Sequence, residues 1–169
     1  IQPVKEEDGG RSPNIRNNYT VTDKADGIRK LLFVDNDGKM YFITTTMDVE
    51  FTGFITTDEK LHKSLLDGEH VLHNKTGGYM NLYAAFDAYY IAGKSIREKA
   101  FVPLEADAVR SNYRLALLNN YMTALNKSLR CVTQKEGDDA MNTRIVLSVK
   151  NFYTGNVFES CRKILEKEN

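Results

Sequence analysis

Residues 28–34 and 39–45 are two apolar, β-rich runs separated only by Asp35-Asn36-Asp37-Gly38. An Asp-Gly step supplies the positive backbone angle that a tight reversal needs. Parallel pairing would require a crossover of a dozen residues or more, so this connection commits the two runs to an antiparallel hairpin. Further runs fit the same sheet. Residues 19–22, 49–56 and 79–91 are rich in β-branched and aromatic side chains, the leucines and valine of 65–72 read as a further strand, and Asn74-Lys75-Thr76-Gly77-Gly78 reads as a loop between the last two. The second half changes period. Val109, Tyr113, Leu117, Tyr121, Leu125 and Leu129 recur every fourth residue and predict one helical face over 104–129. Residues 143–150 alternate as a strand. Asn156, with Glu159 three residues on, is the expected N-cap of a closing helix over 158–167. An antiparallel sheet with appended helices is an α+β fold. Residues 1–18 are expected to be an opening loop, 19–103 the sheet core, and 104–169 a helical and strand extension.

The charge balance narrows the partners. Twenty-three basic residues face 23 acidic ones, so no bulk field favours nucleic acid or membrane, though a local basic groove is compatible with that total. No apolar run approaches the roughly 20 residues of a membrane span, and membrane partners are not expected. Cys131 and Cys161 are too few and too distant for a disulfide framework or a zinc site, which favours reduced thiols in a cytoplasmic setting. The chain opens at Ile1 and stops at Asn169, directly after a helical pattern. It is therefore expected to be a piece of a longer polypeptide.

Three short stretches could carry chemistry. In Asp23-Lys24-Ala25-Asp26-Gly27-Ile28-Arg29 a lysine precedes an Asp-Gly turn on an expected hairpin. A lysine amine attacks phosphorus only when neutral, and its free pKa of about 10.4 leaves little neutral amine near pH 7. Burial, a nearby cation such as Arg29, or a metal ion would lower that value, whereas Asp23 and Asp26 oppose the shift. The second stretch is Leu65-Leu66-Asp67-Gly68-Glu69-His70-Val71, whose carboxylates could meet a ribose or a hard cation, or could form an ordinary turn. The third is Tyr83-Ala84-Ala85-Phe86-Asp87-Ala88-Tyr89-Tyr90-Ile91, where an aromatic could stack on a base or simply pack the core. His62, His70 and His73 fit no metal-ligand spacing.

Each stretch alone is an unremarkable turn or strand, but their order is specific. From residue 19 to 101 the chain resembles the covalent nucleotidyltransferases, which comprise mRNA capping guanylyltransferases and ATP-dependent polynucleotide ligases. It is most similar to the guanylyltransferase domain of capping enzymes from large DNA viruses. Asn17 through Gly27, and Gly93-Lys94-Ser95-Ile96-Arg97 ahead of Phe101, carry that likeness.

The resemblance implies the ATP-grasp-like, antiparallel-sheet nucleotidyltransferase domain of DNA ligases and capping enzymes. It implies Lys24 as the nucleophile that takes GMP from GTP and passes it to the 5′-diphosphate end of RNA. Asp26 and Gly27 would shape the turn, Arg29 and Glu69 would contact the sugar, and Phe86 would stack on the base. Glu69 is also the implied ligand of Mg2+ or Mn2+. Other capping domains on the same polypeptide, and a cytoplasmic viral factory or virion, fit the same resemblance. The alternatives are an ATP-dependent RNA or DNA ligase working through lysyl-AMP, or an inactive RNA-binding or scaffold module. Two later family motifs, an acidic strand and a strand bearing paired lysines, do not appear before Asn169. The segment alone is therefore expected to be inactive within an enzymatic parent.

Overall fold

The computed structural model describes residues 19–102, 112–132 and 144–168. Two units separate by backbone contacts, one made from 1–24 with 150–169 and the other from 25–149.

The larger unit is built on the expected hairpin. Strand β1 (Ile28–Val34) pairs antiparallel with β2 (Lys39–Thr44), with Leu32 opposite Phe42. The turn between them works as its sequence suggests. Gly38 holds φ at 79°, and Asp35 Oδ1 accepts the backbone N–H of both Asp37 and Lys39 at 2.8 Å. β3 (Val49–Thr56), β4 (Ser64–His73), β5 (Tyr79–Ile91) and β6 (Lys94–Ser95) follow, and β7 (Leu129–Cys131) closes onto β3. The strand order is β6-β5-β4-β1-β2-β3-β7, antiparallel throughout. β8 (Val146–Val149) departs from that rule by lying parallel to β5, Leu82 beside Val146. The described fold is thus α+β, with one parallel strand in an otherwise antiparallel sheet.

One face of this sheet is the core. Leu32 and Val34 of β1, Met40 and Phe42 of β2, Leu66 of β4, and Tyr83, Ala85 and Ala88 of β5 are buried together. Helix α1 (Arg114–Ser128) covers them with Leu118, Tyr121, Met122 and Leu125. This is an i, i+3, i+4, i+7 stripe rather than the expected every-fourth series. A step of four overshoots a 3.6-residue turn by about 40°, so Leu117 drifts toward the edge and Leu118 takes the core position. Leu129 has already left the helix for β7, and Val109 lies outside the described residues. The helix start is satisfied by backbone rather than by a side-chain cap, since Ala100 O and Phe101 O accept from the N–H groups of Arg114 and Leu115.

In the smaller unit, the expected strand over 19–22 reduces to a single antiparallel bridge. Val21 exchanges backbone hydrogen bonds with Tyr153 at 2.9 and 2.8 Å. In the larger unit, β2 and β4 occupy both edges of β1. Helix α2 (Val157–Glu168) begins where its cap predicts. Asn156 Oδ1 accepts from the N–H groups of Phe158 and Glu159 at 3.0 and 3.2 Å. Glu159 does not complete a capping box. It pairs with Lys163 one turn on, at 3.0 Å.

Candidate active site

The site is set by strand register. β1 and β4 run antiparallel with Arg29 opposite Glu69 and Leu31 opposite Asp67. Opposed residues share a face, so Arg29, Asp67 and Glu69 lie together on the face away from Leu32 and Leu66. The Asp67-Gly68 pair is not a turn. Both residues are buried in the middle of β4. Gly68 is there because the ring of Tyr83 crosses directly over it, and a Cβ would sit 2.5 Å from Tyr83 Cζ.

Two bulges bring aromatics to the same face. Asp67 is opposite Asp87 while Gly68 is opposite Ala85, which leaves Phe86 as an extra residue on β5. Leu66 is opposite Ala88 while Leu65 is opposite Tyr90, which leaves Tyr89 as a second one. Strict alternation would send Ala85 and Ala88 to opposite faces. The bulge at Phe86 resets the parity, so both alanines are fully buried and Phe86 and Tyr89 are re-aimed. The guanidinium carbon of Arg29 stands 5.9 Å from the centre of the Phe86 ring.

Asp67 organises the polar contacts. Its Oδ1 accepts Arg29 Nε–H at 3.0 Å, and its Oδ2 accepts Arg29 Nη2–H and the Tyr89 hydroxyl, each at 2.6 Å. The Asp67 side chain is 1% exposed and that of Arg29 59%. The hydrogen bond and charge of Asp67 hold the Arg29 guanidinium well above its ordinary pKa. Burial, then the bond to Asp67, raise the Tyr89 phenol. Sequence reasoning singled out Arg29 but not its two partners. Asp67 was legible as a carboxylate beside Glu69, and Tyr89 carried no signal because its position depends on the bulge.

Glu69 and Gly27 form a second contact, with the Gly27 N–H donating to Glu69 Oε1 at 2.9 Å. Gly27 was expected to shape the turn. The close approach it makes is to β4, where an added Cβ would meet His70 O at 2.6 Å and Val71 Cγ2 at 2.8 Å. Asp87 is held elsewhere, in a two-pronged pair with Arg114 at 2.9 and 3.1 Å. Asp26 is exposed at the start of this unit, and Lys24 is an exposed residue at the end of the other sequence segment.

The histidines form no centre. His62 Nδ1 contacts Asn36 O, His70 Nε2 contacts Asn81 Oδ1, and His73 packs edge-on to Tyr79. Among the described residues no three His, Cys, Asp or Glu side chains are grouped to hold a metal ion.

Residues 14–165 match the family model of the mRNA capping enzyme catalytic domain. The chain belongs to this capping-enzyme family. Its Lys24, Arg29, Asp67, Glu69 and Phe86 all fall inside the matched span. The probable mRNA-capping enzyme of Acanthamoeba polyphaga mimivirus is 29% identical over 148 residues, which cover 68% of this chain and 12% of that protein. This capping-family chain thus spans about an eighth of that relative's length. A mycobacterial DNA ligase D complexed with ATP and MES aligns over 86% of this chain and 44% of its own, at 14% identity and a TM-score of 0.46. No described helix of the capping-family chain is long and apolar enough to cross a membrane.

Proposed function

We propose that the protein containing this chain is an mRNA guanylyltransferase and that Lys24 is its nucleophile. The observation that carries this is the family match across residues 14–165, which includes the Lys24-Ala25-Asp26-Gly27 stretch. The convergence of Arg29, Glu69 and Phe86 on one sheet face supports it, because these residues are far apart in sequence.

The neutral Nζ of Lys24 attacks the α-phosphorus of GTP. The bond to the β-phosphate oxygen breaks, pyrophosphate leaves, and a phosphoramidate links GMP to the lysine. A terminal phosphate oxygen of 5′-diphosphate RNA then attacks the same phosphorus. The P–N bond breaks, the cap linkage forms, and the amine returns to Lys24.

Arg29 would hold the nucleotide sugar through the guanidinium hydrogens not used by Asp67, and Phe86 would stack on the base. Asp26 and Gly27 lead the chain from the nucleophile into β1. Gly27 fixes one oxygen of Glu69, and Oε2 has no protein partner among the described residues. That oxygen fits a role as sugar acceptor or as one carboxylate ligand of Mg2+ or Mn2+, cations that complete their shells with phosphate and water. Such an ion would neutralise phosphate charge and ease the departure of pyrophosphate.

The test is covalent labelling of the full-length protein with α-labelled GTP or ATP and a divalent ion, followed by denaturation. Guanylyl transfer predicts acid-labile label from GTP that is lost in Lys24→Ala. Label from ATP alone would reassign the protein as a ligase, and label from neither would leave a binding or scaffold module.

A further inference from the structure

Tyr89 has no part in the chemistry above, yet its hydroxyl is aimed at the carboxylate that holds Arg29. The phenol reaches Asp67 Oδ2 at 2.6 Å, the oxygen that also accepts Arg29 Nη2–H. It gets there only because β5 carries an extra residue between Ala88 and Tyr90. Burial and the bond to Asp67 raise the phenol's pKa, so it remains a donor at neutral pH.

The geometry of the network is directional. Asp67 is anchored in β4 with its side chain 1% exposed, and Arg29 extends from it with 59% exposed. A bidentate pair keeps the carboxylate and guanidinium planes aligned. Whatever fixes the carboxylate plane therefore fixes the guanidinium plane. A second donor arriving on Oδ2 from β5 opposes rotation of the carboxylate about its Cβ–Cγ bond. Arg29 Nη1 has no partner among the described residues and lies at the far end of the fork.

We propose that Tyr89 is a positioning residue which, through Asp67, fixes the Arg29 guanidinium for the sugar or phosphate oxygens of a bound nucleotide. This rests on the nucleotidyl-transfer function proposed above.

The experiment is a double-mutant cycle on the full-length protein, scoring covalent labelling across GTP concentrations for wild type, Tyr89→Phe, Arg29→Lys and the double variant. Binding of GTP to each variant in a Lys24→Ala background provides a readout without chemistry. Tyr89→Phe is expected to raise the KM and the Kd for GTP about 5-fold while leaving the saturating rate within about twofold. In the Arg29→Lys background, which lacks the fork, the same change should add less than about 1.5-fold. Full multiplicative losses in the double variant, or a lowered saturating rate with unchanged KM, would overturn the role of Tyr89 alone. Absence of label from both GTP and ATP in the wild-type protein would overturn the proposed function and this inference with it.

Discussion

Gly27 donates its backbone N–H to Glu69 Oε1 at 2.9 Å while pressing so close to β4 that a Cβ would lie 2.6 Å from His70 O. Two backbones and one carboxylate are thus fixed by the absence of a side chain.

Gly27→Ala should therefore act on both stability and ligand binding. Its Cβ meets backbone oxygen and the Cγ of Glu69, so the start of β1 must move away from β4. A loss of about 1–3 kcal/mol in urea unfolding is expected, together with weaker nucleotide binding as Glu69 loses its donor. An unchanged unfolding midpoint with full affinity would show that the contact is not needed.

Arg29→Ala removes the charged partner of a buried carboxylate and leaves Asp67 with Tyr89 alone. The expected destabilisation is about 2–3 kcal/mol, below the usual loss for a fully buried pair because the Arg29 side chain is more than half exposed. Adding Asp67→Ala should recover part of it, since the stranded charge is gone. Chemical denaturation of the two variants checks the order.

Arg114 ties the start of α1 to the bulged strand. Besides its fork onto Asp87, its Nη1 donates to Lys99 O at 2.6 Å and to Arg97 O at 3.2 Å. Arg114→Lys keeps the charge but cannot reproduce this fan of donors. A loss of about 1–2 kcal/mol is expected. Amide hydrogen exchange should rise around Asp87 and the first turn of α1 and stay unchanged in the β1–β2 hairpin.

His70 makes stability depend on pH. Burial pushes its pKa down, a shift that the bond to Asn81 only partly opposes. Below the unfolded value of about 6.5 the unfolded chain takes up a proton that the folded chain refuses, so stability falls with pH until the lower folded pKa is passed. Urea midpoints should drop between pH 7.5 and 5.5 in the wild type. His70→Gln should flatten that part of the profile, and an equally steep decline in the variant would assign the effect to other groups.

Much of the framework was readable from residues alone, for local reasons. The Asp35-to-Gly38 turn forms a hairpin whatever surrounds it, and Asn156 caps α2 through its own neighbours. The three chemistry-bearing stretches were readable as a family pattern because their residues are contiguous. The parts that escaped reading depend on pairing between distant segments. Residues 65–72 were readable as a strand, but the pairing of Asp67 beside Leu31 on one side and Asp87 on the other follows from the registers with β1 and β5. The helical stripe shifted from Leu117 to Leu118 because packing follows 3.6 residues per turn over the whole helix.

By itself, then, the sequence determined the antiparallel hairpin, the helix cap, the presence of Lys24 in a nucleotidyltransferase-type stretch, and membership in the capping family. Only the tertiary structure decided that Arg29 is locked to Asp67, that Gly27 packs on β4, and that Phe86 and Tyr89 leave the regular alternation of β5. The reason is register. A bulge is a count of residues on one strand against its neighbour, and no single strand's sequence contains that count.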